Sequence, residues 1–244
     1  MDPRLLARTE RNRSIPLLVW TFDAPRLCIS SGPLGGGITV RDWLVNATVP
    51  LGYDRTDPDR HLAEIGTGLG LTGTGAGLLT AVDVSRHHVA VDGGVHATGT
   101  VGLSSPAWAA APDGHFRREV PAGARPVAFA EYQTVEYRPP EPYRPGTINV
   151  VVSLPVKLSP AALVNAVVTA TEAKTQALYE AGVRATGTAS DAVVVHCPTD
   201  GGSEPYGGPR SPWGARLARA VHSAVLTGTR AWIADPGGAV PAWQ

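Results

Sequence analysis

Apolar and polar residues alternate loosely over Ile15–Phe22 and again over Arg26–Ser30, both rich in β-formers, which predicts two strands of a hairpin turning at Asp23-Ala24-Pro25. Further strands are predicted at Trp43–Val49, Leu78–Val84, His87–Val91 and Val95–Leu103, with a turn at Asp92-Gly93-Gly94 between the last two. The runs Ile148–Leu154 and Ala192–Cys197 are almost wholly apolar and read as strands. Three stretches read as helices. Asp57-Pro58 opens one through Ile65, with Asp57 as its cap, and Ser211-Pro212 opens the last, with Trp213, Leu217, Ala220, Val221 and Val225 toward the core. Between them, Ser159 caps and Pro160 starts a helix that Gly182 ends. At about 100° per residue, Leu163, Val164, Val167, Val168 and Leu178 of this helix fall on one apolar stripe. Thr171 lies at the centre of that stripe, Thr175 beside it, and Glu172 and Lys174 on its margins. Buried charge without a partner is costly, so these residues either satisfy one another or face something polar. Elsewhere, Ala128–Tyr137 suits a strand, Arg138–Pro145 an extended linker and Ala231–Gln244 a Pro/Gly-rich strap.

The order of elements predicts an α/β (α+β) fold. It is read as one layered domain over residues 1–244, with mixed β-sheet(s), helices packed outside and a flexible arm at 1–14. Composition narrows the function classes. With 21 basic and 21 acidic residues, no global field favours nucleic acid or an anionic membrane. Cys28 and Cys197 are too few for a disulfide scaffold and read as buried free thiols in a reducing compartment. No apolar run approaches the roughly 20 residues of a membrane span, and the charged N-terminus lacks a signal-peptide core. A cytoplasmic protein is expected. The 28 glycines and 22 prolines imply many turns, while a 43% hydrophobic content argues against disorder.

Several chemistries are weakened by the residues themselves. The glycine-rich loop Ser31–Gly37 lacks the Gly-Lys-Ser/Thr of a Walker motif. Gly68-Leu-Gly70-Leu-Thr-Gly73 matches the dinucleotide pattern but follows a helix instead of a strand. His87, His88 and His96 are close in sequence, but adjacent histidines on a strand point to opposite faces and no metal-ligand spacing accompanies them. No metal is therefore expected. The Gly-x-Ser-x-Gly nucleophile elbow is absent.

What remains centres on residues 146–197. A threonine and a lysine one helical turn apart, Thr171 and Lys174, match the spacing with which lysine activates a hydroxyl nucleophile. Glu172 or Asp191 as a base for water is a competing reading. The loop Thr186-Gly187-Thr188 offers hydroxyls and backbone N–H groups to a carbonyl oxygen or phosphate. It also echoes an earlier segment: Gly94-Val-His-Ala-Thr-Gly-Thr100 and Gly182-Val-Arg-Ala-Thr-Gly-Thr188 agree at six of seven positions. The echo raises the expectation of two related halves whose Thr-Gly-Thr loops line one site. Pattern alone stops at an α/β protein with a polar, Gly/Thr-lined cleft suited to hydrolysis.

Pro145-Gly-Thr-Ile-Asn149, Thr169-Ala-Thr-Glu-Ala-Lys174 and Ala185-Thr-Gly-Thr-Ala-Ser-Asp191, in that order and spacing, resemble the adenosylcobinamide amidohydrolase family. Asn46-Ala-Thr-Val49, the Asp57-Pro58 helix start, Leu79-Thr-Ala-Val-Asp83 and Thr100-Val-Gly-Leu-Ser104 extend the resemblance over roughly Ile15 to Thr227. It implies hydrolysis of the amide between the aminopropanol arm and the corrin ring of adenosylcobinamide, with no added cofactor, since the cobalt belongs to the substrate. The implied partner is the corrinoid alone, with no nucleic acid and no membrane span; a homo-oligomer stays open. On this reading Thr171, Glu172, Lys174 and Asp191 are the expected catalytic residues. Thr147, Asn149, Thr186, Gly187, Thr188, Thr80, Asp83 and Asn46 are the expected substrate contacts. Trp43 and Trp108 suit either ring contact or the core. One departure stands out: where a histidine and a threonine would precede the last helix, this chain has Arg210-Ser211. That leaves a non-catalytic corrinoid-binding protein as the alternative.

Overall fold

The computed structural model describes residues 1–111 and 146–235. The strand and linker expected within 128–145, and the strap beyond Asp235, lie outside the described residues. The chain begins with a tight hairpin, β1 (Arg4–Glu10) and β2 (Arg13–Ser30). Its two-residue turn places Arg11 at φ 49° and Asn12 at φ 61°, the left-handed pair whose twist matches a hairpin. The expected flexible arm is thus a paired strand. β2 is also longer than expected: it runs through Asp23-Ala24-Pro25 without turning back. Its register with β3 (Gly37–Thr48) shifts between Thr21 and Arg26, so these residues form a bulge where proline costs no ladder bond.

The remaining elements are α1 (Pro58–Gly68), β4 (Gly75–Thr80), a 3₁₀ turn at Val84–Arg86, β5 (His88–Asp92), β6 (Val95–Gly102) and β7 (Pro106–Ala107). After the undescribed stretch come β8 (Thr147–Ser153), α2 (Pro160–Glu180), β9 (Gly187–Thr188), β10 (Ala192–Pro198) and α3 (Pro212–Ala234). Eight strands form one mixed sheet in the order β4-β3-β2-β10-β8-β6-β5, with β1 on β2; β7 and β9 pair separately. Among the described strand pairs only β3–β4 and β8–β10 are parallel.

The sheet folds back on itself. β3 and β8 are separated by two strands, each about 4.8 Å from the next, yet Asn149 Nδ2 donates to Asn46 Oδ1 at 2.9 Å. The bulged corner of β2 makes this possible, as strands that bend at a bulge carry one layer into the next. The side-chain clusters follow the alternation along each strand. Leu18, Trp20, Leu44, Ala76 and Leu78 from the β2–β4 end meet Cys28, Val151 and Val194 between the two layers. Outside the first layer, Leu17, Val19, Trp43, Val45 and Ala47 pack on Leu62 and Ile65 of α1. Outside the second, Val150, Val152, Val193 and Val195 pack on α2 and α3. The result is helix, sheet, sheet, helices. Both cysteines are free and buried, and burial pushes the Cys28 thiol up to about 12.

The face α2 buries differs from the expected one. Ala162, Leu163, Ala166, Ala170, Ala173, Ala177 and Leu178 face the core, while Val164 and Val168 are 51% and 48% exposed. Valine dominates the apolar count on the outer face, but alanine allows the close approach that packing between α3 and the sheet requires. The caps agree with the sequence: Ser159 Oγ accepts from Ala162 N, Ser211 Oγ from Gly214 N, and Gly182 adopts φ 82°. Asp57 instead gives its carboxylate to Arg55.

Candidate functional site

β8 starts between β6 and β10, so its first residues meet groups from every neighbouring element. Lys174 projects from the buried side of α2, and its ammonium donates to Asp191 Oδ2, with only 8% and 11% of the two side chains exposed. Asp191 stands just ahead of β10 and gathers further donors. Its Oδ1 accepts from Ile148 N at 2.9 Å and from Thr188 Oγ1, while Oδ2 also accepts from Thr188 N at 3.1 Å. A carboxylate with four donors is held in one position. Gly187 makes the approach possible, since a Cβ there would lie 2.1 Å from Asp191 Oδ2 and 2.5 Å from Lys174 Nζ.

Two hydroxyls stand beside this pair. Thr147 Oγ1 lies 2.7 Å from Ser190 Oγ, and Ser190 Oγ donates to Gly146 O at 3.1 Å. A hydroxyl has one proton, so Thr147 is the donor of the first bond and keeps a lone pair open. Next along β8, Asn149 bridges the layers: its Nδ2 donates to Asn46 Oδ1 and to Leu79 O at 3.0 Å. Asn46 Nδ2 then donates to Thr100 Oγ1 at 3.1 Å. Asn149 Oδ1 is buried with no donor among the described residues.

The expected site residues therefore divide. Lys174, Asp191, Gly187, Thr188, Thr147, Asn149 and Asn46 converge on the start of β8. Thr186 braces the loop from behind, its N–H on Ala107 O at 3.0 Å and its hydroxyl accepting from Ala109 N at 2.8 Å. Thr80 and Asp83 shape the turn after β4, accepting from Val82 N and Ser85 N. Thr171 and Glu172 are elsewhere: both are exposed on the outer face of α2, with Thr171 Oγ1 bonded to Val167 O of its own helix. Trp43 is packed in the core against α1, whereas Trp108, beside the Thr186 loop, is 45% exposed.

Sequence reasoning overlooked Ser190 and the Ile148 amide. The first adjoins Asp191 in a quoted motif; the second leaves no trace in side-chain identity. The echoed segments meet here in a way their sequences do not reveal. Thr98–Thr100 is strand, with Thr100 opposite Asn149, and Thr186–Thr188 is loop and short strand, yet both end beside the start of β8. The echo is one of sequence and place, not of conformation.

The other end of β10 carries a strongly perturbed titrating group. His196 is fully buried, and desolvation, then the charge of Arg26, holds its pKa well below the usual imidazole range. Its Nδ1 accepts from Arg26 Nε at 3.3 Å, which puts the proton on Nε2, where no partner stands among the described residues. Among the described residues no three His, Cys, Asp or Glu side chains cluster as metal ligands.

The family model CbiZ, adenosylcobinamide amidohydrolase, matches residues 3–236. The adenosylcobinamide amidohydrolase of Methanosarcina mazei is 29% identical over 209 residues, which cover 82% of this chain and 88% of that protein. That of Halobacterium salinarum is 38% identical over 149 residues, covering 61% of this chain and 55% of the relative. Among solved structures, the PH0078 protein from Pyrococcus horikoshii OT3 superposes with a TM-score of 0.43 at 10% identity, covering 93% of this chain and 82% of that one. A score that low carries no argument.

Proposed function

The chain belongs to the adenosylcobinamide amidohydrolase family, and we propose that it hydrolyses the amide joining the aminopropanol arm to the corrin ring of adenosylcobinamide. Water adds to the amide carbonyl, the C–N bond breaks, and the products are adenosylcobyric acid and the free amino alcohol, returned to cobalamin synthesis. The observation that carries this reading is the family match across residues 3–236, which takes in every group at the start of β8.

The local chemistry supports it. Amide hydrolysis requires stabilised charge on the carbonyl oxygen and a proton for the departing nitrogen. In this reading Lys174, aimed by Asp191 and Gly187, supplies positive charge in a largely water-excluded setting, where it acts most strongly. Asp191 positions it and does not itself attack, because all its oxygens are occupied. The Thr147–Ser190 hydroxyl pair orients the water or the scissile amide, and Asn149, Asn46 and Thr188 hold the wall behind it. Thr171 and Glu172 stand on the opposite side of α2 and are given no step. Cobalt enters with the substrate. Ser211, at the departure from the family pattern, spends its hydroxyl on Gly208 O and on the cap of α3.

Incubation of the purified protein with adenosylcobinamide, followed by chromatography for adenosylcobyric acid, tests the reading. Product formation is expected. A shifted corrinoid spectrum without cleavage would instead make the protein a corrinoid binder.

A further inference from the structure

We propose that the outer edge of β5 is a dimerisation edge, on which a second copy of this chain adds its own β5 antiparallel about a two-fold axis at Ala90. This does not depend on the catalytic reading. β5 ends the strand order and pairs only with β6 among the described residues. The other margins of the sheet are guarded. The far side of β4 is met by Leu34, with Gly77 N donating to Leu34 O at 3.0 Å, and β1 carries Arg4, Arg8 and Glu10. Lysine, proline, inward charge and bulges are the usual defences of an open edge. β5, His88-Val-Ala-Val-Asp92, has none of them at its centre, and Val89 and Val91 are 39% and 56% exposed on one face.

The strand is also complementary to itself. With Ala90 opposite Ala90 of the second copy, each Val89 faces a Val91 and each His88 faces an Asp92. β-branched pairs and donor–acceptor pairs are those that stabilise adjacent antiparallel strands. Asp92 is held ready by Arg219, whose Nε and NH2 donate to its two oxygens at 2.6 and 3.0 Å. Each of its oxygens accepts one of these bonds and keeps acceptor capacity for a further donor. A two-fold of this kind is isologous and closes at two copies.

Sedimentation velocity across micromolar concentrations is expected to give twice the mass of one chain. Val91→Lys should halve it, and Val164→Lys, an equally exposed valine on α2, should leave it unchanged. A register test needs no loss of fold. Directly opposed residues have Cβ atoms about 4.5–5.5 Å apart and diagonal ones about 7–8 Å, so Ala90→Cys should cross-link between copies severalfold faster than Val89→Cys or Val91→Cys. The native Cys28 and Cys197 are buried and do not compete. A monomer at every concentration would leave the edge to solvent or another partner and overturn the proposal. So would a dimer that survives Val91→Lys, or cross-linking fastest at 89 or 91.

Discussion

Thr171 and Glu172 lie within one helical turn of Lys174, yet the two groups occupy different environments. Lys174 is enclosed with a carboxylate, a glycine and two backbone amides. Thr171 has returned its hydroxyl to its own helix, and Glu172 stands in water. In a four-residue motif the helical period decides which side chain can act on a substrate, because 100° per residue separates neighbours more than identity does. The comparison also explains why both sides are polar. The inner polarity is balanced by partners, and the outer needs none.

The contrast breaks most visibly at Lys174. Lys174→Ala leaves Asp191 buried beside an empty space, which should destabilise the fold by on the order of 3–5 kcal/mol. Losing the positive charge should also lower kcat/KM by about 10²–10³-fold. Stability and chemistry can be separated. Lys174→Met combined with Asp191→Asn removes both charges and keeps the Oδ1 acceptor for Ile148 N, although Nδ2 then meets the Thr188 amide donor, so urea midpoints should recover part of the loss while activity does not. If activity recovers with stability, Lys174 is structural.

Gly187→Ala tests the same enclosure without touching charge. Its Cβ would fall within 2.1 Å of Asp191 Oδ2, so pair and loop must separate. Overpacking of this kind costs about 1–3 kcal/mol, and a catalytic group displaced by about 1 Å can cost 10²-fold in rate. Kinetics at wild-type speed would show that the Lys174–Asp191 contact is dispensable for turnover.

Part of the pH dependence of stability comes from buried histidines, one of them at the far end of β10. Burial lowers the His196 pKa, and lowers those of His61 and His88 in the same direction. Below the ordinary value of about 6.5 the unfolded chain therefore binds more protons than the folded one. The contribution is fully present above that pH and is lost as pH falls, by about 1.4 kcal/mol per unit for a fully buried histidine. Urea midpoints at pH 7, 6 and 5 should fall, and His196→Leu should flatten the slope. A midpoint that rises on acidification would reverse the assigned sign.

Much of this was legible in the chain. Serine–proline pairs at 159–160 and 211–212 marked both long helices, and the valine runs marked β8 and β10, because caps and apolar runs are local signals. The bulge at Asp23–Pro25 was read as a turn, since proline and aspartate serve both and only pairing with β3 distinguishes them. The inner face of α2 was misjudged by roughly 100° because hydrophobic weighting favours valine over alanine. For the site, the motifs located Lys174 and Asp191, while their contact is a tertiary fact. Nothing local says that Gly187 is small so that those two can meet.

The smallest expected effects are those at the outer face, and they sharpen the comparison most economically. Thr171→Ala removes a hydroxyl bonded, among the described residues, only to Val167 O and substitutes a better helix former, so stability should change by a few tenths of a kcal/mol, in the favourable direction. Glu172→Gln removes an exposed charge, and substitutions at such places usually stay within about 0.5 kcal/mol, roughly a factor of two in a rate or equilibrium constant. Both variants should cleave adenosylcobinamide with kcat near that of the wild type. The decisive case is Glu172→Gln: it preserves size and removes the carboxylate that a water-activating base would need. A fall in kcat of a hundredfold at unchanged KM would move the chemistry around α2 to its exposed side and leave Lys174–Asp191 as a structural pair.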